Sequence, residues 1–199
     1  GVFDSGVGGL TVFSEIIKQL PSEDIIYIGD TKRFPFGNKS KESIISISKQ
    51  IVNYLILQDV KLIVIACGTA TSQALEELRK IYKIPIIGII EPTIENCIKE
   101  DTKRVGIIAT KGTIRSGEWE KQIKQKNNNI ETISIETPLL ASMAEEGWTQ
   151  NQVAKAAIKE YMKEFKNTKI EKLILGCTHY PLFEKIIKEE LGEKIETIN

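Results

Sequence analysis

The sequence is short of several features that would direct it elsewhere. It has no run of about 18 apolar residues, so a membrane-spanning helix is not expected. Its three cysteines among 199 residues are few and odd in number. No Cys-x-x-Cys pair occurs, which excludes a close redox dithiol and fits thiols kept reduced in the cytoplasm. One histidine leaves no recognisable metal-ligand cluster. Neither charge sign dominates, with 27 basic and 27 acidic residues, so nothing points to nucleic acid or to a membrane surface. Lys121–Lys126 mixes Lys with Gln and Ile, as a solvated helix face does.

What is present is an alternation of short apolar runs with helical patterns. Strands are expected at Val2–Phe3, Ile25–Ile28, Leu62–Ala66, Ile86–Ile89, Val105–Ala109, Ile130–Ile135, Leu173–Leu175 and Ile195–Ile198. Helices are expected at Leu10–Gln19, Ser43–Leu57, Ala70–Tyr82, Thr93–Glu100, Gly117–Lys126, Gln152–Phe165 and Leu182–Glu190. In the second helix Ile44, Ile47, Ile51, Tyr54 and Leu55 share one stripe. Such alternation argues for parallel βαβ units. The halves also resemble each other: each opens on a strand running into a Ser/Thr/Gly turn and later reaches a Lys-Leu-Ile strand ending at Cys-Thr or Cys-Gly-Thr. The fold expected is α/β, with two pseudo-symmetric domains, mainly parallel sheets and a site in the cleft between them. Glu91-Pro92-Thr93 is the natural hinge, since proline disfavours helix at the residue before it. Residues 1–91 then form the first domain and residues 92–199 the second. Gly1 lies inside a strand, so no leader can be read. Asn199 directly follows a strand, and a C-terminal tail completing the first domain is expected.

Cys67 and Cys177 follow the strands Leu62–Ala66 and Leu173–Leu175, at the carboxyl ends where open α/β sheets bind ligands. A free cysteine is commonly just a small buried hydrophobe. Two of them at equivalent strand ends, each beside Gly and Thr and ahead of a helix N-terminus favouring thiolate, make an acid/base pair the better reading. Cys97, beside Ile94 and Ile98, reads as core filling. His179, two residues after Cys177, is placed to polarise a thiol or a substrate carboxylate. Asp4-Ser5-Gly6-Val7-Gly8-Gly9 is superficially a dinucleotide loop, but Thr11 stands where the third glycine belongs. Instead, Asp4 can accept from a substrate ammonium, while Ser5 and the N–H groups at the helix start receive a carboxylate. Arg33-Phe34-Pro35-Phe36-Gly37-Asn38 is either a surface turn or a pocket cap. Glu145, at the end of an apolar stretch beginning at Pro138, is either a plain helix terminus or a carboxylate lent to the cleft.

Val2 to Leu10, Tyr27 to Thr31, Arg33 with Pro35 to Lys39, Ala66-Cys67-Gly68-Thr69, Gly88 to Pro92, and Leu175-Gly176-Cys177-Thr178-His179-Tyr180-Pro181 together resemble the glutamate racemases of the cofactor-independent aspartate/glutamate racemase superfamily. The motifs run from one end of the chain to residue 181. The resemblance implies a cofactor-free isomerase that interconverts L- and D-glutamate by proton transfer and supplies D-glutamate for peptidoglycan. It makes Cys67 and Cys177 the acid/base pair, with Cys67 acting on D-glutamate and Cys177 on L-glutamate, and Asp4, Glu145 and His179 in support. Asp4, Ser5, Phe36, Gly37, Gly68, Thr69, Thr178 and His179 would line the substrate, and a homodimer is left open. Two positions depart from the pattern: Gly68 stands where Asn is usual and Phe36 where Tyr is usual. A missing amide costs about 1–3 kcal/mol of binding, so Gly68→Asn is expected to lower the KM for glutamate.

The α-hydrogen of an amino acid is a poor acid, and no pyridoxal lysine motif is evident. Removal by a thiolate on one face and delivery by a thiol on the other suits a reaction that runs both ways. An aspartate-specific racemase of the same superfamily and a non-catalytic amino-acid-binding module are the alternatives.

Overall fold

The computed structural model describes residues 1–99 and 101–199. The first half comprises β1 (Val2–Asp4), α1 (Leu10–Gln19), β2 (Tyr27–Gly29), α2 (Lys41–Leu57), β3 (Ile63–Ile65), α3 (Gly68–Ile81) and β4 (Ile86–Gly88). After α4 (Ile90–Cys97) come β5 (Arg104–Ala109), α5 (Lys111–Arg115), α6 (Glu118–Lys126), β6 (Glu131–Glu136), α7 (Pro138–Glu145) and α8 (Gln152–Met162). The second half closes with β7 (Lys172–Leu175), α9 (Glu184–Leu191) and β8 (Glu196–Ile198). The strands form two parallel sheets, β2-β1-β3-β4 and β6-β5-β7-β8. The order is the same in both, so β3 and β7 occupy equivalent places.

The first sheet packs on α2 and α3 through Phe3, Ile44, Ile51, Leu55, Ile63, Ile65 and Leu78. Ser40 starts α2 by accepting the Ser43 N–H at 3.2 Å, an N-cap that its β-region backbone permits. Val52 joins the buried stripe of α2, whereas Tyr54, expected on it, is exposed. Deleting a fully buried side chain such as Leu55 to Ala should cost about 2–5 kcal/mol. The second sheet is covered on both faces. Ile108, Leu173 and Leu175 meet α7, α8 and α9; Val105, Ile107 and Ile174 meet α4 and α6. That period of two along β5 and β7 is the pleat at work.

The elements differ from expectation mainly at their ends. α4 starts at Ile90 rather than Thr93 and runs through Pro92, because the first-turn N–H groups of a helix have no intrahelical partner for proline to remove. Glu100, the expected last residue of that helix, lies outside the described residues. The expected helix from Gln152 to Phe165 tightens after Met162 into a 3-10 turn. The segment from Leu182 begins in a 3-10 turn, Tyr180–Phe183, before α9. α5 and α7 were not expected; α7 is started by Pro138 in its first turn. Among the described residues, no helix is long and apolar enough to cross a membrane.

Candidate active site

Cys67 and Cys177 each lie two residues beyond equivalent strands, β3 and β7, and both line one cavity between the sheets. Asp4, Ser5, Phe36, Gly37, Gly68, Thr69, Thr178 and His179 line it too, so the structure brings these expected residues together. The cavity measures about 10 Å³, room for roughly one water. Phe34, Pro35, Thr110, Ala141 and Gly176 complete its walls. The Phe34–Phe36 loop thus caps the pocket rather than forming a surface turn. Thr110 was missed as a site residue, although it stands just past β5 as Cys67 and Cys177 stand past their strands.

Cys67 caps α3 and is 5% exposed. Its Sγ accepts the Ala70 N–H at 3.4 Å. Burial nevertheless pushes its thiol up to about 12, with the Asp4 charge adding to the rise and hydrogen bonds from Ala70 and Ser5 opposing it. The thiolate expected at this helix N-terminus is therefore not favoured: loss of hydration outweighs one cap and a partial dipole. Cys177 is shifted upward as well, by burial first, against hydrogen bonds from His179 and Thr178. Its nearest helical segment is the 3-10 turn from Tyr180, too short to supply a substantial dipole.

Asp4 and His179 share the cavity with the two thiols, and the Asp4 charge raises both of them. Asp4 is fully buried, and burial raises its pKa. Its Oδ2 accepts the N–H groups of Gly9 at 3.0 Å and Gly6 at 3.2 Å, while Oδ1 has no partner among the described residues. Those two N–H groups are occupied by Asp4 rather than held out for a ligand carboxylate, and the Val7 N–H faces Glu145 Oε1 at 3.4 Å. Tyr27 fixes the same turn by donating to the Gly6 carbonyl at 2.7 Å.

Behind Cys177, His179 is 2% exposed. Its Nδ1 lies 3.6 Å from Cys177 Sγ and its Nε2 lies 2.6 Å from Glu145 Oε1. Nε2 thus faces the Glu145 carboxylate, and Nδ1 is the ring nitrogen left facing the thiol. Phe34 covers the imidazole, ring centres 5.6 Å apart. Glu145, at the end of α7, does not itself line the cavity but pairs with His179, which does.

Three threonine hydroxyls join the walls. Thr69 lies 2.9 Å from Thr110 and 3.0 Å from Thr113, which are 2.9 Å from each other. Each hydroxyl can donate once and accept in turn, so the buried triangle satisfies itself. Cys97 is fully buried against Ile90, Ile94 and Val105, as core filling should be. Among the described residues, no group of three or more His, Cys, Asp or Glu is placed to hold a metal ion.

Gly68 corrects one expectation. A Cβ built on it would stand 2.5 Å from the Gly176 carbonyl oxygen, closer than van der Waals contact allows. The amide that Gly68→Asn was expected to restore can therefore be placed only if the Gly176 peptide shifts.

Two like α/β halves with a thiol on each wall of a shared cavity define the class as a two-domain racemase fold. The sequence profile described as Asp/Glu/Hydantoin racemase matches residues 8–199. The glutamate racemase of Geobacter metallireducens is 46% identical over 200 residues, covering 100% of this chain and 74% of that protein. A glutamate racemase isoform from Bacillus anthracis superposes with a TM-score of 0.94 at 42% identity, covering 100% of this chain and 75% of that one. The Francisella tularensis glutamate racemase, solved in complex with D-glutamate, also gives 0.94, at 41% identity, with 100% and 74% covered. The chain belongs to the Asp/Glu/hydantoin racemase family.

Proposed function

We propose that this protein is a glutamate racemase that interconverts L- and D-glutamate through Cys67 and Cys177, supplying D-glutamate for peptidoglycan. The observation that carries this reading is the pair of thiols, Cys67 and Cys177, facing one cavity from equivalent places beyond β3 and β7. In one direction Cys67 as thiolate takes the α-proton while the Cys177 thiol delivers one to the opposite face; in the other the roles exchange. The Cys67 proton is taken up by Asp4, whose free Oδ1 and raised pKa suit it to hold one. The Cys177 proton passes to Nδ1 of His179, and Glu145 stabilises the imidazolium that results. Ser5, Thr69, Thr178 and the backbone around Gly37 orient the carboxylates, and Phe36 helps to wall off water. The chemistry asks for no cofactor. Cytoplasmic residence, assembly as a homodimer, and a division between domains at residues 91 and 92 belong to the same reading.

Incubation in D₂O tests it. Glutamate should acquire deuterium at its α-carbon while it racemises, and aspartate should exchange far more slowly. Preferential exchange of aspartate would move the assignment to an aspartate racemase. Binding of glutamate without exchange would leave only an amino-acid-binding module.

A further inference from the structure

Tyr180 does not line the cavity, yet its hydroxyl closes a ring of contacts around His179. It directly follows His179 in the chain, and its side chain is fully buried. Burial is the main cause of a phenol pKa raised well above its ordinary value, so the hydroxyl keeps its proton. It donates to the Thr137 carbonyl at 2.9 Å and accepts the Thr137 hydroxyl at 2.8 Å. A buried phenol is satisfied by one partner. Here both bonds go to Thr137, which stands immediately before α7, the helix that ends at Glu145. The ring runs from His179 across 2.6 Å to Glu145, back along α7 to Thr137, and through the two hydrogen bonds to Tyr180. Two further bonds fix its corners. The Tyr180 N–H donates to the Cys177 carbonyl at 3.0 Å, and the Thr137 N–H donates to the Ala109 carbonyl at 2.9 Å.

We infer that Tyr180 is a positioning residue for the His179–Glu145 pair: its hydroxyl ties the start of α7 to the turn after Cys177 and so sets the imidazole against that thiol. The inference rests on the racemase reading for the step that His179 serves, whereas the link from hydroxyl to imidazole belongs to the fold. The lever is short. α7 has eight residues and is about 12 Å long, so a tilt of about 5° at Thr137 carries the Glu145 carboxylate by about 1 Å. A displacement of that size is enough to break the contact with Nε2. Packing of Leu140, Ala141 and Met143 holds α7 on the sheet, but apolar contacts are non-directional and do not fix such an angle.

Tyr180→Phe tests this, since it keeps the ring and its packing and removes only the hydroxyl. His179 is the one histidine of the chain, so its imidazole nitrogen resonances can be read unambiguously by NMR on isotope-labelled full-length protein. In Tyr180→Phe they should move toward the averaged pattern of an unrestrained imidazole. Proton removal, followed as elimination from a glutamate analogue with a leaving group at its β-carbon, should slow by about tenfold for the L-enantiomer. For the D-enantiomer it should slow by less than about twofold. Thr137→Val cuts the same link from its other side and decides the matter if Tyr180→Phe fails to fold. Combined with Tyr180→Phe it should add less than about twofold, because both remove one interaction. Thr137→Ser keeps a hydroxyl and should leave both readouts close to those of the unmodified protein. Equal slowing of both enantiomers would overturn the inference, because a general loss of stability has that effect. So would unchanged His179 resonances, or an unchanged rate for the L-enantiomer. If the unmodified protein neither exchanges α-deuterium nor eliminates, the racemase reading falls, and the His179 resonances still decide the link.

Discussion

Glu145→Gln offers the sharpest test of how the cleft divides its labour. Glu145 Oε1 lies 2.6 Å from His179 Nε2, and Gln can still accept that hydrogen bond; only the charge is lost. Charge-assisted bonds are roughly twice as strong as neutral ones, a difference of about 1–2 kcal/mol. That converts to a slowing of about 5- to 30-fold in any step that makes His179 cationic. Racemisation kinetics alone cannot locate the loss. The enantiomers have equal free energy in water, so kcat/KM must fall by the same factor in both directions. A single abstraction step can locate it. Elimination from a glutamate analogue carrying a leaving group at its β-carbon reports proton removal without the return step. The L-enantiomer, which Cys177 deprotonates in the proposed mechanism, should slow by the factor above, and the D-enantiomer by less than about twofold. Equal slowing of both enantiomers would refute the assignment of His179 and Glu145 to one wall.

Asp4→Asn should give the converse pattern, slowing elimination from the D-enantiomer by about tenfold or more while sparing the L-enantiomer; comparison of the two enantiomers in the same assay checks it. Racemisation by the full-length protein should survive chelation and prolonged dialysis, and activity regained only on adding a metal or pyridoxal phosphate would count against a two-thiol mechanism. Stability should fall at alkaline pH. The Cys67 thiol ordinarily ionises near 9.0 but is held up to about 12 in the fold, so the unfolded chain releases its proton first. The contribution is therefore complete below about pH 9 and is lost between about 9 and 12, at about 1.4 kcal/mol per pH unit. Urea midpoints at about pH 8 and 10 should show the decline, and Cys67→Ala should make it shallower.

Much of this was legible in the sequence because the signals are local. α1 runs over Leu10–Gln19 as its apolar spacing predicts, and the abrupt ends of the Lys-Leu-Ile runs placed both thiols at strand termini. The turn from Asp4 to Gly9 and the loop from Phe34 to Gly37 were likewise marked by their own residue types. What was not legible is long-range. Glu145 and His179 are 34 positions apart, and nothing near either says that they pair. The ionisation of the thiols depends on how completely the opposite domain covers them, which a helix N-terminus cannot foretell. Gly68 shows the limit most directly. Its neighbours suggest a missing amide, while the carbonyl that excludes one belongs to Gly176. α5 and α7 escaped for a different reason: each is short, and Pro138 reads as a breaker until it is seen to occupy a first turn.

The shared strand order of the two sheets carries a geometric consequence. Two chains folded with the same hand can be superposed only by a rotation, whereas the two enantiomers of a substrate are related by a reflection. No protein made of L-residues contains that reflection. Repeating one α/β unit can therefore place a thiol on either face of a carbon, but it cannot make the two approaches mirror images. The mismatch has to be absorbed behind the thiols, and that is where the halves differ. One wall has a lone carboxylate anchored in a glycine turn; the other has an imidazole braced by a carboxylate from a separate helix. In the proposed mechanism, likeness of fold supplies two opposed thiols, and unlikeness of the groups around them lets both work on a substrate that no rotation can make symmetric.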